Sequence, residues 1–129
     1  MKKFIYIQNT FKMYYSPSSE ASGIYVNELL KRDVELISRM SENISDDKNI
    51  YRIFRERLSL YEQASNMPLI EDDRKFLDYR INEICFELRI FKIIQDRKNL
   101  IESKAQIDKI KDQLVAWERV YRLNKPTSS

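Results

Sequence analysis

The side chains that most often carry acid–base or nucleophilic chemistry are scarce in this sequence. Histidine is absent, and with it the usual general base near neutral pH and the commonest metal ligand in proteins. This excludes Ser-His and Cys-His nucleophilic pairs, HExxH zinc sites and histidine-dependent nuclease sites. We therefore predict that the chain is not an enzyme and has no catalytic residues.

Cys85 is the only cysteine, so the chain can form neither an intrachain disulfide nor a zinc cluster of several thiolates. A reactive thiol needs an accessible, electropositive setting, whereas Cys85 stands in the most apolar window of the sequence. We interpret it as a small buried core residue. A lone thiol also fits a reducing compartment, and we expect a cytoplasmic protein.

Two pairs of neighbouring carboxylates, Asp46-Asp47 and Asp72-Asp73, are the remaining candidates for chemistry. Adjacent carboxylates can attract a divalent cation. Each pair also stands where a helix is predicted to begin, and acidic side chains are favourable at that end of the helix dipole. We adopt the second interpretation and predict no metal site. Because Gly23 is the only glycine, glycine-rich phosphate loops are excluded, and we predict no cofactor.

Length and composition indicate one all-α domain. The chain has 129 residues, a usual length for a single domain, and one glycine and three prolines allow few turns. We treat residues 1–129 as a single helical domain, with 1–15 a candidate separate N-terminal arm and 125–129 a flexible tail. No segment approaches the roughly 20 uninterrupted apolar residues of a membrane span, so no integral membrane association is expected.

Two shorter helices are predicted in the first half of the chain, from about 18 to 43 and from about 47 to 66. Gly23 favours a later start for the first, because glycine weakens a helix interior by about 1 kcal/mol relative to alanine. Arg57 is expected to extend its charged end from the second helix into solvent. The predicted apolar stripe of the first helix consists of Val26, Leu30, Val34, Ile37, Ser41 and Ile44.

The dominant feature is the stretch from Glu71 to Leu123, which contains neither glycine nor proline. As one helix of about 53 residues it would be about 80 Å long. Apolar residues follow heptad spacing in both halves, but the two registers differ in phase. The two registers are Leu77, Ile81, Ile84, Leu88 and Phe91, and then Ile107, Ile110, Leu114, Trp117 and Tyr121.

A turn within 96–99 would explain the phase difference, but we prefer a continuous or kinked helix. The predicted fold is an all-α antiparallel helical bundle, or a long helical hairpin, in which one dominant C-terminal helix (about 71–123) is packed by two shorter helices. The window 84–94 is apolar on most sides, as expected of a helix buried by more than one neighbour. We expect it at the centre of the core.

Two surfaces are candidates for binding a partner. The arm combines three lysines and no acid with aromatic side chains that can stack on bases, lie on anionic lipid or anchor a protein interface, although they can also simply cover the bundle. The seam from Leu100 to Tyr121 would pair with another chain if neighbouring helices left it exposed, and it packs internally if they cover it. The candidate contact residues are Phe4, Tyr6, Phe11 and Tyr14 in the arm, and Leu114, Trp117 and Tyr121 in the seam.

These observations favour a non-enzymatic protein–protein interaction protein, a small helical adaptor, chaperone or inhibitor that occupies the surface of a protein partner. A second copy of the chain, forming a homodimer, is one candidate partner. The alternative is a nucleic-acid-binding accessory protein that uses the arm and the cluster Arg52, Arg55 and Arg57. The acidic and basic residues that come after the arm cancel in charge, whereas nucleic-acid-binding domains usually have a concentrated basic face. Protein binding is therefore preferred.

Overall fold

The computed structural model describes residues 19–123, and within that range the chain forms four α-helices and no strand. They are α1 (Ser19–Glu42), α2 (Asp47–Ala64), α3 (Glu71–Asp96) and α4 (Leu100–Leu123). The prediction of an all-α antiparallel bundle is confirmed. The predictions made for the arm and the tail fall on residues that lie outside the described range.

The helices form a bundle in which short connections place successive helices side by side. α1 packs most extensively on α4 and also on α2, while α2 packs on α3. The contact between α3 and α4 is smaller, and α1 touches α3 across the diagonal. One hydrophobic core runs through all four helices, and its fully buried members include Leu30, Phe54, Leu77, Phe91 and Leu114.

The stripe predicted for α1 is partly correct. Val26, Leu30 and Ile37 are fully buried, but Ser41 is exposed. Asp33 is buried instead, because partners on neighbouring helices neutralise its charge.

Gly23 lies inside α1, and a Cβ atom there would meet no atom within 4 Å. The late helix start predicted from Gly23 was therefore wrong, and no close approach of helices requires it.

The start of α2 is capped as its sequence predicts. Asp46 is the N-cap residue, and its Oδ1 accepts hydrogen bonds from the backbone N–H groups of Lys48 at 3.1 Å and Asn49 at 3.2 Å. These bonds satisfy two of the donors that a helix leaves unpaired at its start. The helix-start interpretation of the first acidic pair is confirmed for Asp46.

The stretch 71–123 is two helices, so the prediction of one dominant helix was wrong. α3 ends at Asp96, and α4 begins at Leu100. Between them Lys98 has a φ angle of 52°, the left-handed conformation that ends a helix and that residues with a Cβ atom adopt only at a cost. The phase difference between the two heptad registers marks this turn.

A reciprocal pair of hydrogen bonds fixes the start of α4. The side-chain oxygen of Asn99 accepts from the backbone N–H of Glu102 at 3.1 Å, and the side-chain nitrogen of Asn99 donates to Glu102 Oε1 at 3.0 Å. An Asn with a Glu three residues later resembles a capping box. This short motif is the sequence signal that favours a new helix over continuation, and the long-helix prediction missed it.

Candidate functional site

Five polar side chains from three helices meet in the centre of the bundle, and we call them the buried charged cluster. Arg57 of α2 donates from Nε to Asp33 Oδ1 of α1 at 2.5 Å and from Nη1 to Glu87 Oε1 of α3 at 3.0 Å. The Tyr61 hydroxyl donates to Asp33 Oδ2 at 2.5 Å. Arg80 Nη2 lies 3.7 Å from Asp33 Oδ2 and 4.0 Å from Glu87 Oε2.

Two arginines face two carboxyl groups in the cluster, so opposite charges can balance there. Burial by itself would lower the pKa of Arg57, but Asp33 and Glu87 outweigh it, so the pKa is raised and the guanidinium stays charged. Burial raises the pKa of Glu87 despite the attraction of Arg57 and Arg80. Burial and the neighbouring Asp33 raise the pKa of Tyr61 far above its ordinary value. Burial therefore shifts both Glu87 and Tyr61 towards their neutral forms.

The cluster is closed to solvent. Asp33, Arg57 and Tyr61 are 0% exposed, Arg80 is 1% and Glu87 is 4%. Arg80 Nε and Nη2 and Glu87 Oε2 have no hydrogen-bond partner among the described residues. Because a substrate could reach these atoms only after the helices separated, the arrangement is suited to fixing the alignment of α1, α2 and α3 rather than to turnover.

The prediction that Arg57 extends into solvent was wrong, since its side chain is fully buried with its guanidinium stacked 5.4 Å from the ring of Phe54. It is therefore unavailable to the basic surface proposed with Arg52 and Arg55, which are exposed. A signal for the cluster existed in the sequence. Charged residues of opposite sign replace apolar ones at core spacing on three successive helices, as Arg80 and Glu87 do one heptad apart.

A second polar group joins α1, α3 and α4 at one end of the bundle. The Ser22 hydroxyl donates to Asp73 Oδ2 at 2.5 Å and accepts from the backbone N–H of Ile70 at 3.1 Å. The Tyr121 hydroxyl donates to Asp73 Oδ1 at 2.9 Å. Asp73 is therefore a buried link between helices, which the helix-start interpretation of the pair Asp72-Asp73 did not predict.

Of the seam residues predicted to contact a partner, Leu114 is fully buried and Trp117 and Tyr121 are half-buried. The Trp117 ring lies 4.8 Å and the Tyr121 ring 5.2 Å from the ring of Phe76, centre to centre. From Ile107 to Tyr121 the seam therefore packs inside the bundle, and Leu114 could reach a partner only if the bundle opened. Leu100, at the start of the seam, is 52% exposed. The four candidates in the arm, Phe4, Tyr6, Phe11 and Tyr14, lie outside the described residues.

Three large apolar side chains on α3 face solvent at heptad spacing. Tyr79 is 46% exposed, Phe86 54% and Ile93 58%, and we call these three residues the α3 stripe. Seven-residue spacing places them in one line along the helix. Half-buried Ile90 lies beside this line. The stripe lies about a third of a turn away from the residues of α3 that face the core.

The α3 stripe corrects two predictions made for the window 84–94. Ile84, Phe91 and Ile94 are buried as predicted, but the window is not covered on all sides, because α3 packs on α2 closely and on α4 over a smaller contact. Cys85, which adjoins Phe86, is partly exposed rather than buried.

A cleft of about 310 Å³ lies where the α1–α2 connection meets the α3–α4 turn. Asp47, Gln95, Asn99 and Ser103 are among the residues that line it, and the Gln95 amide donates to Asp47 Oδ1 at 2.8 Å across it. Within residues 19–123 no three acidic or cysteine side chains come together as metal ligands. The cleft therefore contains polar groups without a grouping that points to a particular reaction.

Comparison of the chain with family models, with curated proteins and with solved structures finds no match in any of the three. None of the four described helices combines the length and the apolar character needed to cross a bilayer.

Proposed function

We propose that this chain is a non-enzymatic helical-bundle protein that acts by binding another protein through the α3 stripe. The observation that carries the proposal is the exposure of Tyr79, Phe86 and Ile93, each about half exposed, in one line on a single helix. Isolated exposed apolar residues are common on protein surfaces, whereas an aligned set is typical of an interaction site. A helix with such a line is suited to helix-to-helix packing on a partner.

The residue types support this assignment. Aromatic residues are enriched at interface centres, and Phe86 lies at the middle of the stripe with one apolar residue a heptad away on each side. The α4 seam from Ile107 to Tyr121 packs in the bundle's own core. Leu100, Ile101 and Val120 on α4 are exposed but do not repeat at heptad spacing as the α3 stripe does, so α3 is the better candidate for an external contact. The closed, balanced setting of the buried charged cluster supports a structural rather than a catalytic role for its members. Adaptor, chaperone and inhibitor roles would all use such a surface.

The test is position-specific photo-crosslinking in cells that produce the protein. A photoreactive amino acid replaces Phe86 in one variant and Glu35, on the exposed face of α1, in a matched control. We expect protein adducts at position 86, identified by mass spectrometry, and few at position 35, because position 86 lies in an apolar line that a partner would cover and position 35 is an exposed charged position.

Equal labelling at positions 86 and 35, or no protein adduct at 86, would contradict the proposal. Adducts formed with nucleic acid rather than protein would instead favour the alternative function. The α1 control matters because random encounters label any exposed position, whereas a defined interface labels one face.

A further inference from the structure

The exposed charges along the α3 stripe change sign at its centre. From residue 78 to residue 93 the exposed or half-buried acidic residues, Asp78 and Glu83, precede Phe86, and the exposed basic residues, Arg89 and Lys92, come after it. The other two charged residues of this span belong to the buried charged cluster. None of the four surface charges has an ion-pair partner within 4.0 Å among the described residues. Within this span α3 thus has an acidic half and a basic half, whereas exposed Lys75 before the span and exposed Asp96 after it have the opposite signs.

Two copies of α3 that pack in opposite directions would therefore have complementary charges. If two α3 helices pack antiparallel about a two-fold axis at Phe86, each residue before Phe86 lies opposite the residue equally far after it on the other helix. Tyr79 then lies opposite Ile93 of the second copy, and the two Phe86 rings meet at the axis. The acidic half of each helix faces the basic half of the other, whereas a parallel pair would place like charges together.

We propose that the occupant of the α3 stripe is a second copy of this chain, packed antiparallel with the two-fold axis at Phe86. This inference rests on the proposed function and names its partner. An isologous contact of this kind uses one surface twice, as two-fold symmetric homodimers do. It differs from the homodimer predicted through the α4 seam, because here the contact surface is already exposed in the folded bundle.

Charge reversal tests the pairing in the purified full-length protein, with the dissociation constant measured by analytical ultracentrifugation. Arg89→Glu alone and Glu83→Arg alone each place like charges in facing halves. Because the two-fold axis repeats each change, each should raise the dissociation constant several-fold, up to about tenfold. The double variant should return it to near the wild-type value. Glu35→Arg on α1 is the matched control for a change in net charge and should leave it unchanged.

Cysteine crosslinking tests the orientation, in a Cys85→Ala background. A mixture of Tyr79→Cys chains and Ile93→Cys chains should form a disulfide-linked dimer readily, because the antiparallel arrangement brings these positions together. Each variant alone should not, since like positions then lie on the order of 20 Å apart along the helix. Crosslinking of either variant with itself would overturn the antiparallel arrangement.

A strictly monomeric wild-type chain would overturn the second-copy inference, and so would single charge reversals that leave the dissociation constant unchanged. These outcomes are separable from failure of the proposed function, because adducts of position 86 with a different protein would still uphold stripe binding.

Residues 1–18 are another candidate occupant. If the thiol of Phe86→Cys were protected in a monomer and became reactive when residues 1–18 were removed, that segment and not a second copy would cover the stripe.

Discussion

Arg57 holds the centre of the protein because it is the one cation within hydrogen-bonding distance of two buried carboxylates among the described residues. Removing one partner of a buried ion pair leaves uncompensated charge in a medium that solvates it poorly, and this costs much more than the pair itself contributes. Arg57 is therefore more important to the fold than the prediction that its charged end extends into solvent would suggest.

We predict that Arg57→Met lowers the free energy of unfolding by about 3–5 kcal/mol, because Asp33 and Glu87 remain buried without their main partner. Urea denaturation followed by circular dichroism measures the change. Arg55→Met, an exposed position on the same helix, is the control and should change stability little. Equal effects of the two substitutions would show that the cluster contributes no special stability.

The buried charged cluster was predictable only in part. Apolar spacing correctly places Leu30, Leu77 and Phe91 in the core, because burial of such side chains follows the helical repeat. The same spacing predicts Asp33 and Arg57 poorly, since the burial of a charge depends on partners from other helices. No single helix contains that information.

At the scale of the elements, the turn between α3 and α4 depends on the backbone of one residue. Lys98 adopts the left-handed conformation, while Arg97 before it has a φ of −86°. A residue with a Cβ atom pays about 1–2 kcal/mol for the left-handed conformation, and glycine does not. The turn is therefore formed against the preference of its central residue, with help from the Asn99 cap.

We predict that Lys98→Gly raises the free energy of unfolding by up to about 1 kcal/mol, because the relief at this residue exceeds the extra chain entropy of glycine. Arg97→Gly should lower it by about 0.5–1 kcal/mol, since Arg97 gains no relief. Chemical denaturation of both variants gives the comparison. Changes of the same sign in the two variants would contradict this account.

The fold class could be predicted from the sequence, and the number of helices could not. Scarcity of glycine and proline predicts helices, and the Asp46 cap correctly marks the boundary between α1 and α2. Pro68, which has no backbone N–H to donate within a helix, lies in the connection between α2 and α3. The α3–α4 turn contains neither breaker, so composition favours a continuous helix there. The turn returns α4 to the side of α1, where α4 makes its most extensive contact, a tertiary effect that local propensity does not include.

For the molecule as a whole, two tyrosine hydroxyl groups inside the bundle make the free energy of unfolding depend on pH in the alkaline range. Burial raises the pKa of Tyr61 well above 10, and burial together with a hydrogen bond to Asp73 raises that of Tyr121. The folded protein therefore keeps these protons at a pH where the unfolded chain releases them. The stabilisation is complete below about pH 10, the ordinary tyrosine pKa, and is lost as pH rises above it.

We predict that the free energy of unfolding of the wild-type protein falls above about pH 10, with Tyr61 alone accounting for up to about 1.4 kcal/mol per pH unit. Tyr61→Phe should be less stable at neutral pH, because Asp33 loses a hydrogen bond, yet its stability should fall less steeply with pH. Urea denaturation at a series of alkaline pH values measures both slopes. Identical slopes would mean that Tyr61 ionises normally in the folded state.

The left-handed conformation of Lys98 also bears on whether α4 packs on the α1 of its own molecule or on that of another. If Lys98 and the capping residue Asn99 both returned to helical angles, α3 and α4 would join into a single rod of roughly 80 Å, and α4 would leave its place beside α1. The apolar side of α4 would then pack on α1 of a neighbouring molecule whose own α4 had also moved away. The two molecules would thus exchange equivalent segments. Short connections under conformational strain favour such exchange, so the turn at 97–99 is the feature that keeps α4 packed on the α1 of its own chain.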